Sequence, residues 1–280
     1  MPRLPSNGPM TIDMIRNEFK RGPSLAPYLN MRHDAGVFPG SNLAFSNFYG
    51  RQSAFVVDHL TLGATDWDLY EWTRALGWDG VQPVVGFYGA APGAVIQCSS
   101  IDLSAMRVYG FPEGSVITIR NFGYIVGHGG AGGGDIGEPF GPEGGRGGNA
   151  ILVRSRCYLE NYGVIGGGGG GGLALPDFFG FRARGGGGAT NGWPNGGLSN
   201  GPGESGGAAA VRRFGPGQGG IDAGATRGGN GGLWGETGQG WFDYNNNGPN
   251  GAGGPPGSTI DGASLCSSTV YGDTRGYNVN

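Results

Sequence analysis

Read for alternation, the chain between Ala54 and Val126 breaks into short segments with apolar positions that suit strands. AFVVDHLTL (Ala54–Leu62), QPVVGFY, AVIQC and SVITIRNFGYIV are β-branched or aromatic runs bounded by glycine and proline. Two stretches depart from that pattern. In TIDMIRNEF (Thr11–Phe19), the residues Ile12, Ile15 and Phe19 fall on one face of a helix. In ATDWDLYEWTRALGWDG, Thr65 or Asp66 is placed to cap a helix that carries Glu71 and is stopped by Gly77. Pro23 and Pro27 then impose extended chain ahead of AFSNFYG at Ala44–Gly50.

The pattern also repeats. ITIRNFGYIVGHGG (Ile117–Gly130) aligns with CYLENYGVIGGGGG (Cys157–Gly170) at an offset of 40 residues. Both read as a strand, then Asn, an aromatic, Gly, one residue, Ile and glycine. A repeat of this length implies stacked units, because a flexible tether has no reason to keep the same strand and aromatic lead-in.

Composition changes the picture after Asn121, where most of the 66 glycines lie. They come in runs and pairs with irregular insertions, so the strict Gly-X-Y period of collagen is excluded. Ordering a glycine costs more than ordering any other residue, so a run such as Gly166–Gly172 is either a linker or a packed lattice. Extended glycine helices with three residues per turn can approach without Cβ contact and exchange N–H···O=C bonds laterally. Linkers are not interrupted by LALPDFFGF or GQGWFDY, and the lattice reading is preferred. The predicted fold is thus a small α+β N-terminal part followed by a glycine-rich body of packed polyglycine II (polyproline II-like) helices with aromatic loops. Its divisions are an extended attachment segment (1–50), an α+β head (51–126), a polyglycine-helix bundle with recognition loops (127–257) and a C-terminal strand (258–280).

Charge narrows the function classes. The net charge of −3 argues against a partner made of phosphate backbone. No apolar run reaches membrane length, and MPRLPSNGPMTID lacks an apolar signal core, so synthesis in the cytoplasm without membrane insertion is expected. Cys98, Cys157 and Cys266 are widely spaced and odd in number, which gives no disulfide framework.

Chemistry-bearing motifs fail one after another. Gly127, Gly129 and Gly132 meet the dinucleotide pattern, but no helix or acidic ribose partner follows. A phosphate-binding P-loop needs Gly-Lys, and the sole lysine, Lys20, follows Phe19. Ser205 in GESGG fits a nucleophile elbow, yet His33, His59 and His128 all precede it. The three histidines have no zinc spacing. Asp135 falls one place late for the calcium-binding glycine nonapeptide. Asp66, Asp68 and Glu71 read as a helix cap and a solvated face. Arg146, Arg184 and Arg227 beside glycines are too sparse for an RNA-binding box. No catalytic residue, metal site or cofactor is expected.

At this point FPEGSVITIRNFGYIVGHGGAGG and GGNAILVRSRCYLENYGVIGGGGGGG resemble the glycine-rich module of bacteriophage tail-tip and tail-fibre proteins. DLYEWTRALGWDG and QPVVGFYGAAPGAVIQCSS are similar to the helix and strands that precede that module, and TIDGASLCSSTVYGDT to its terminal strand. SNGPMTIDMIRNEF resembles a short segment of phage structural proteins. The related adhesins that cap long fibres of T-even-type phages display receptor-binding loops on a polyglycine-helix sandwich. The resemblance therefore implies a virion tail protein, with other phage tail proteins and a bacterial outer-membrane protein or polysaccharide as partners, and by analogy a homotrimer.

Recognition is expected on the insertions between glycine runs, because large rings have no place inside a glycine lattice. The expected contacts are Trp193, Arg213, Trp234, Trp241 and Tyr244, with Phe178 and Phe179 as contacts or end-caps. One rival is a purely structural tail component. Another is a polysaccharide hydrolase, which would need paired carboxylates about 5–10 Å apart on a β-helix or similar groove. No long β-helical repeat is legible. An ice-binding protein would want one flat face, which the aromatic insertions would spoil.

Overall fold

The computed structural model describes residues 4–19, 21, 24–29, 31–33, 36–51, 53–133, 143–174, 230–241 and 250–280. Strands dominate from Phe55 onward, and they follow one rule. The chain makes five coils, and each coil lays one strand in each of three parallel five-stranded sheets. The first coil comprises β3 (Phe55–Thr61), β4 (Ala64–Thr65) and β5 (Trp67–Asp68), and the second β6 (Val84–Ala90), β7 (Val95–Gln97) and β8 (Met106–Val108). The third comprises β9 (Val116–Asn121), β10 (Tyr124–Val126) and β11 (Ile151–Val153). The fourth is β12 (Cys157–Asn161), β13 (Val164–Gly166) and β16 (Ile260–Asp261). The fifth is β17 (Cys266–Val270), β18 (Asp273–Arg275) and β19 (Asn278–Val279). β1 (Arg32–His33) and β2 (Gly36–Val37) form an antiparallel pair before the coils; β14 (Gln239–Trp241) and β15 (Asn250–Ala252) form another within the fourth.

The architecture is a three-sided parallel β-helix, and this corrects two expectations. Only two short α-helices occur among the described residues, α1 (Ile12–Phe19) and α2 (Leu69–Ala75). The fold is thus β-rich, not an α+β part followed by a body of packed polyglycine helices. A β-helical repeat is also present after all. Its period was hidden because register partners between the second and third coils lie 31, 29 and 45 residues apart in the three sheets, and those between the third and fourth 40, 40 and 109. The 40-residue repeat itself is real: Cys157 pairs with Ile117 and Tyr124 with Val164, each at that offset.

Inside the prism, alternate residues of each strand stack into a core. Val57, Tyr88, Ile117, Ile119 and Leu159 come from one sheet, Ile96, Ile125 and Ile165 from the second, and Met106, Ile151 and Ile260 from the third. α2 packs against β5 and β8, and its buried Thr73 hydroxyl meets that of Tyr88 at 2.8 Å. Asp68, not Thr65 or Asp66, caps it by accepting the Glu71 N–H at 3.1 Å, and Gly77 follows its end at φ +96°. Asp66 instead sits left-handed at φ +53°, its carboxylate accepting the Ser99 N–H at 2.8 Å.

The N-terminal stretch, expected as an extended attachment segment, buries Leu4, Ile15, Phe19, Tyr28, Phe38 and Phe48 together. Phe19 meets Tyr28, Phe38 and Phe48 edge-on at 5.4–6.2 Å. This unit is tied to the first coil through the buried Glu18 carboxylate, which accepts the Ser53 N–H at 2.7 Å.

Candidate receptor-facing corner

The asparagine of the repeated motif positions the corner between the first two sheets. Asn121 and Asn161 are fully buried at the ends of β9 and β12. Asn121 donates through Nδ2 to Asn161 Oδ1 at 2.8 Å and to the Val164 carbonyl at 3.1 Å, while Asn161 donates to the Asp273 carbonyl at 3.0 Å. Each Oδ1 also accepts the N–H two residues on, from Gly123 and Gly163. One side-chain amide thus holds its own turn and grips the next coil. Outside this corner, Phe122, Tyr162 and Tyr271 stack in a column with centroids 5.1 Å apart at each step.

The longer excursions leave from a different corner, always the same one, and those of the third and fourth coils are glycine-rich. Each excursion runs from the second sheet to the third: residues 98–105 in the second coil, 127–150 in the third and 167–259 in the fourth. It lengthens from the second coil to the fourth, and shrinks to residues 276–277 in the fifth.

Near the corner, the described glycine segments are joined laterally at three-residue intervals. Gly127, Gly130 and Gly133 donate to the carbonyls of Gly166, Gly169 and Gly172 at 2.8–2.9 Å. Gly168 and Gly171 donate to Gly148 and Gly145, and Gly254 and Gly257 to Gly171 and Gly168. The whole run Gly166–Gly172 is buried. A Cβ on Gly167 or Gly170 would lie 1.9 or 1.7 Å from the Gly257 or Gly254 carbonyl oxygen. On Gly168 or Gly171 it would lie 1.8 Å from the oxygen of His128 or Ala131, and on Gly169 2.0 Å from that of Gly232. The surroundings of the run therefore repeat every third residue, and no side chain fits at those positions.

Trp234, expected as a receptor contact, is placed otherwise. It is 3 % exposed and packs with Val126, Val95, Tyr124 and Val164, its ring 6.2 Å from that of Tyr124 and beneath the Arg275 guanidinium at 5.9 Å. The glycine at 166 makes the room: a Cβ there would be 3.0 Å from the Trp234 Cβ. A large ring thus does find a seat, where a glycine run meets the β-helix. Trp241 ends β14, opposite Asn250 of β15. Phe178, Phe179, Trp193, Arg213 and Tyr244 lie outside the described residues, between β13 and β16 in sequence.

Asp68 and Glu160 are engaged structurally. Asp68, besides capping α2, accepts from the Tyr109 hydroxyl and lies 3.5 Å from Arg107; that hydrogen bond pushes the Tyr109 phenol up to about 12. Glu160 pairs with Arg120 at 2.6 Å across neighbouring coils. Buried Cys98 accepts the His128 N–H at 2.9 Å, and desolvation raises its thiol to about 12. Among the described residues, no group of three His, Cys, Asp or Glu could hold a metal ion, and no helix is long and apolar enough to cross a membrane.

Comparison with known proteins decides the family. The model of the phage tail fibre adhesin Gp38 matches residues 58–279, four of the five coils in full and most of the first. The chain belongs to that family. It is accordingly a receptor-recognising tail fibre protein, in a family of adhesins rather than of a known enzyme class. The fold of a solved structure agrees: the crystal structure of the gp37-gp38 adhesin tip complex of the bacteriophage S16 long tail fiber contains a chain that superposes with a TM-score of 0.61. The alignment covers 97% of this chain and 99% of that one at 24% identity. No curated protein sequence matches. Sequence reasoning reached the family through the Asn-aromatic-Gly motif but missed the buried role of Trp234, for which the signal was the glycine run it needs beneath it.

Proposed function

We propose that this adhesin reads its receptor, an outer-membrane protein or a polysaccharide, with side chains carried by the glycine-rich excursions, and that it does so without catalysis. The observation that carries this reading is that all three excursions begin at one corner, where the described glycine segments of the third and fourth coils are joined laterally. Aromatic rings and guanidinium forks suit stacking on sugars and pairing with carboxylate or phosphate. Trp193, Arg213, Trp241 and Tyr244 are the assigned contacts, with Phe178 and Phe179 beside them. Trp234 is withdrawn from that set because its ring is buried. The test is adsorption: purified protein should occupy host cells and block infection. Trp193→Ala with Arg213→Ala should lower cell binding at least tenfold at an unchanged melting temperature. Undiminished binding by that variant would place the contacts elsewhere.

Residues 1–50 are proposed as the attachment to another tail protein, in the manner of the two-protein tip complex of the S16 fibre. A cleft of about 490 Å³, lined by Pro27, Leu29, Met31, Phe55 and Val56, lies where this unit meets the first coil. Removing residues 1–50 should abolish incorporation into particles while leaving cell binding by the free protein intact; normal incorporation would refute the assignment.

A further inference from the structure

Cys157 opens β12 and Cys266 opens β17, and these parallel strands place the two directly opposite each other. Both belong to the inward column Val57, Gly86, Ile117, Cys157, Cys266, one residue per coil. Cys157 is buried, and Cys266 is partly buried against the same core. Each thiol acts on the other's titration, that of Cys157 being pushed up and that of Cys266 held down. Neighbouring strands lie about 4.8 Å apart, within the roughly 4.4–6.8 Å between Cα atoms that a disulfide spans. β17 is the edge of its sheet, with β12 on one side only, so it is free to make the small shift that closure requires. The whole of the longest excursion, residues 167–259, lies between the two cysteines in sequence.

We propose that Cys157 and Cys266 form a disulfide when the virion meets an oxidising medium, stapling the two ends of the longest glycine-rich excursion. Cys266 is the attacking group: it is the more exposed thiol, and the neighbouring Cys157 thiol holds it below the usual thiol range. The Cys266 thiolate attacks one sulfur of a small-molecule disulfide such as oxidised glutathione, forming a mixed disulfide and expelling one glutathione thiolate, which takes up a proton. Cys157 then loses its proton to water, attacks the Cys266 sulfur and expels the second glutathione. Two protein thiols are oxidised by two electrons, and one glutathione disulfide is reduced to two thiols. The product closes a long loop, the case in which a cross-link restricts the unfolded chain most. Cys98 takes no part, being buried in the second coil's excursion beneath the His128 N–H.

The experiment counts thiols in the full chain. Protein equilibrated in a glutathione redox buffer is alkylated in denaturant, weighed intact and digested. One alkylated thiol is expected in place of three, with a linked Cys157–Cys266 peptide. The melting temperature should exceed that of phosphine-reduced protein by several degrees, and Cys266→Ser should abolish that difference. Three alkylated thiols, a glutathione adduct on Cys266 without the linked peptide, or a link to Cys98 would each overturn the proposal. The wild-type thiol count decides the matter even where the variant folds poorly.

Discussion

At single residues, the energetics divide by whether the neighbour is backbone or water. Gly169 has the Gly232 carbonyl oxygen 2.0 Å from where a Cβ would stand. Relief requires moving a chain that is itself hydrogen-bonded, so Gly169→Val should cost more than about 3 kcal/mol, seen as insoluble expression or a collapsed melting temperature. Asn161→Ala strands the Gly163 N–H, the Asp273 carbonyl and the Asn121 amide in a buried corner. A loss of about 3 kcal/mol in chemical unfolding is expected there, since unmet buried partners cost more than a bond gains. Arg146 pairs with Asp102 in solvent, and Arg146→Ala should stay within about 0.5 kcal/mol in the same assay. A titrating group adds a pH window. Desolvation of buried Tyr88, bonded to Thr73 Oγ1 at 2.8 Å, raises its phenol from 10.0 to about 12. The folded value exceeds the unfolded one, so this contribution is whole below pH 10 and is lost as pH climbs towards 12. Tyr88→Phe should therefore flatten the fall in melting temperature measured across that range.

Among the strands and helices, what the sequence disclosed and what it hid have separate causes. Alternation located the strands well. QPVVGFY became β6, AVIQC contains β7, and SVITIRNFGYIV holds β9 and β10. Alternation reports that one side of a strand is buried, but it is silent on which strand lies alongside, and so it could not reveal three sheets sharing five coils. The only legible register was the 40-residue one, because both of its coils carry the Asn-aromatic-Gly corner. The fifth coil keeps the stacked Tyr271 but has Val270 where the asparagine would stand, and 109 residues separate it from Asn161. The aromatic side chains of the N-terminal unit looked like punctuation between prolines, since a core built from Phe19, Tyr28, Phe38 and Phe48 has no period to detect.

For the whole molecule, the last coils of the β-helix and the glycine lattice support one another. Gly167 donates to the Arg275 carbonyl, Thr259 to that of Tyr277, and Arg275 lies over Trp234, so the fifth coil braces the lattice as well as ending the prism. Truncation after residue 262 should accelerate amide exchange at 167–172 and 230–235, far from the cut in sequence, while leaving the second coil protected. Exchange that speeds up only at β12 and β13 would mean that the lattice supports itself.

The three-residue interval has a consequence for how such a protein can vary. Because the run at Gly166–Gly172 meets the same neighbour every third position, adding or removing one residue would rotate every later donor away from its acceptor. A change of three would leave donors and acceptors in phase. Viable length variants in these segments should thus differ by whole triplets, so that a phage could lengthen its grip on a new host by one notch at a time without disturbing the ratchet beneath it.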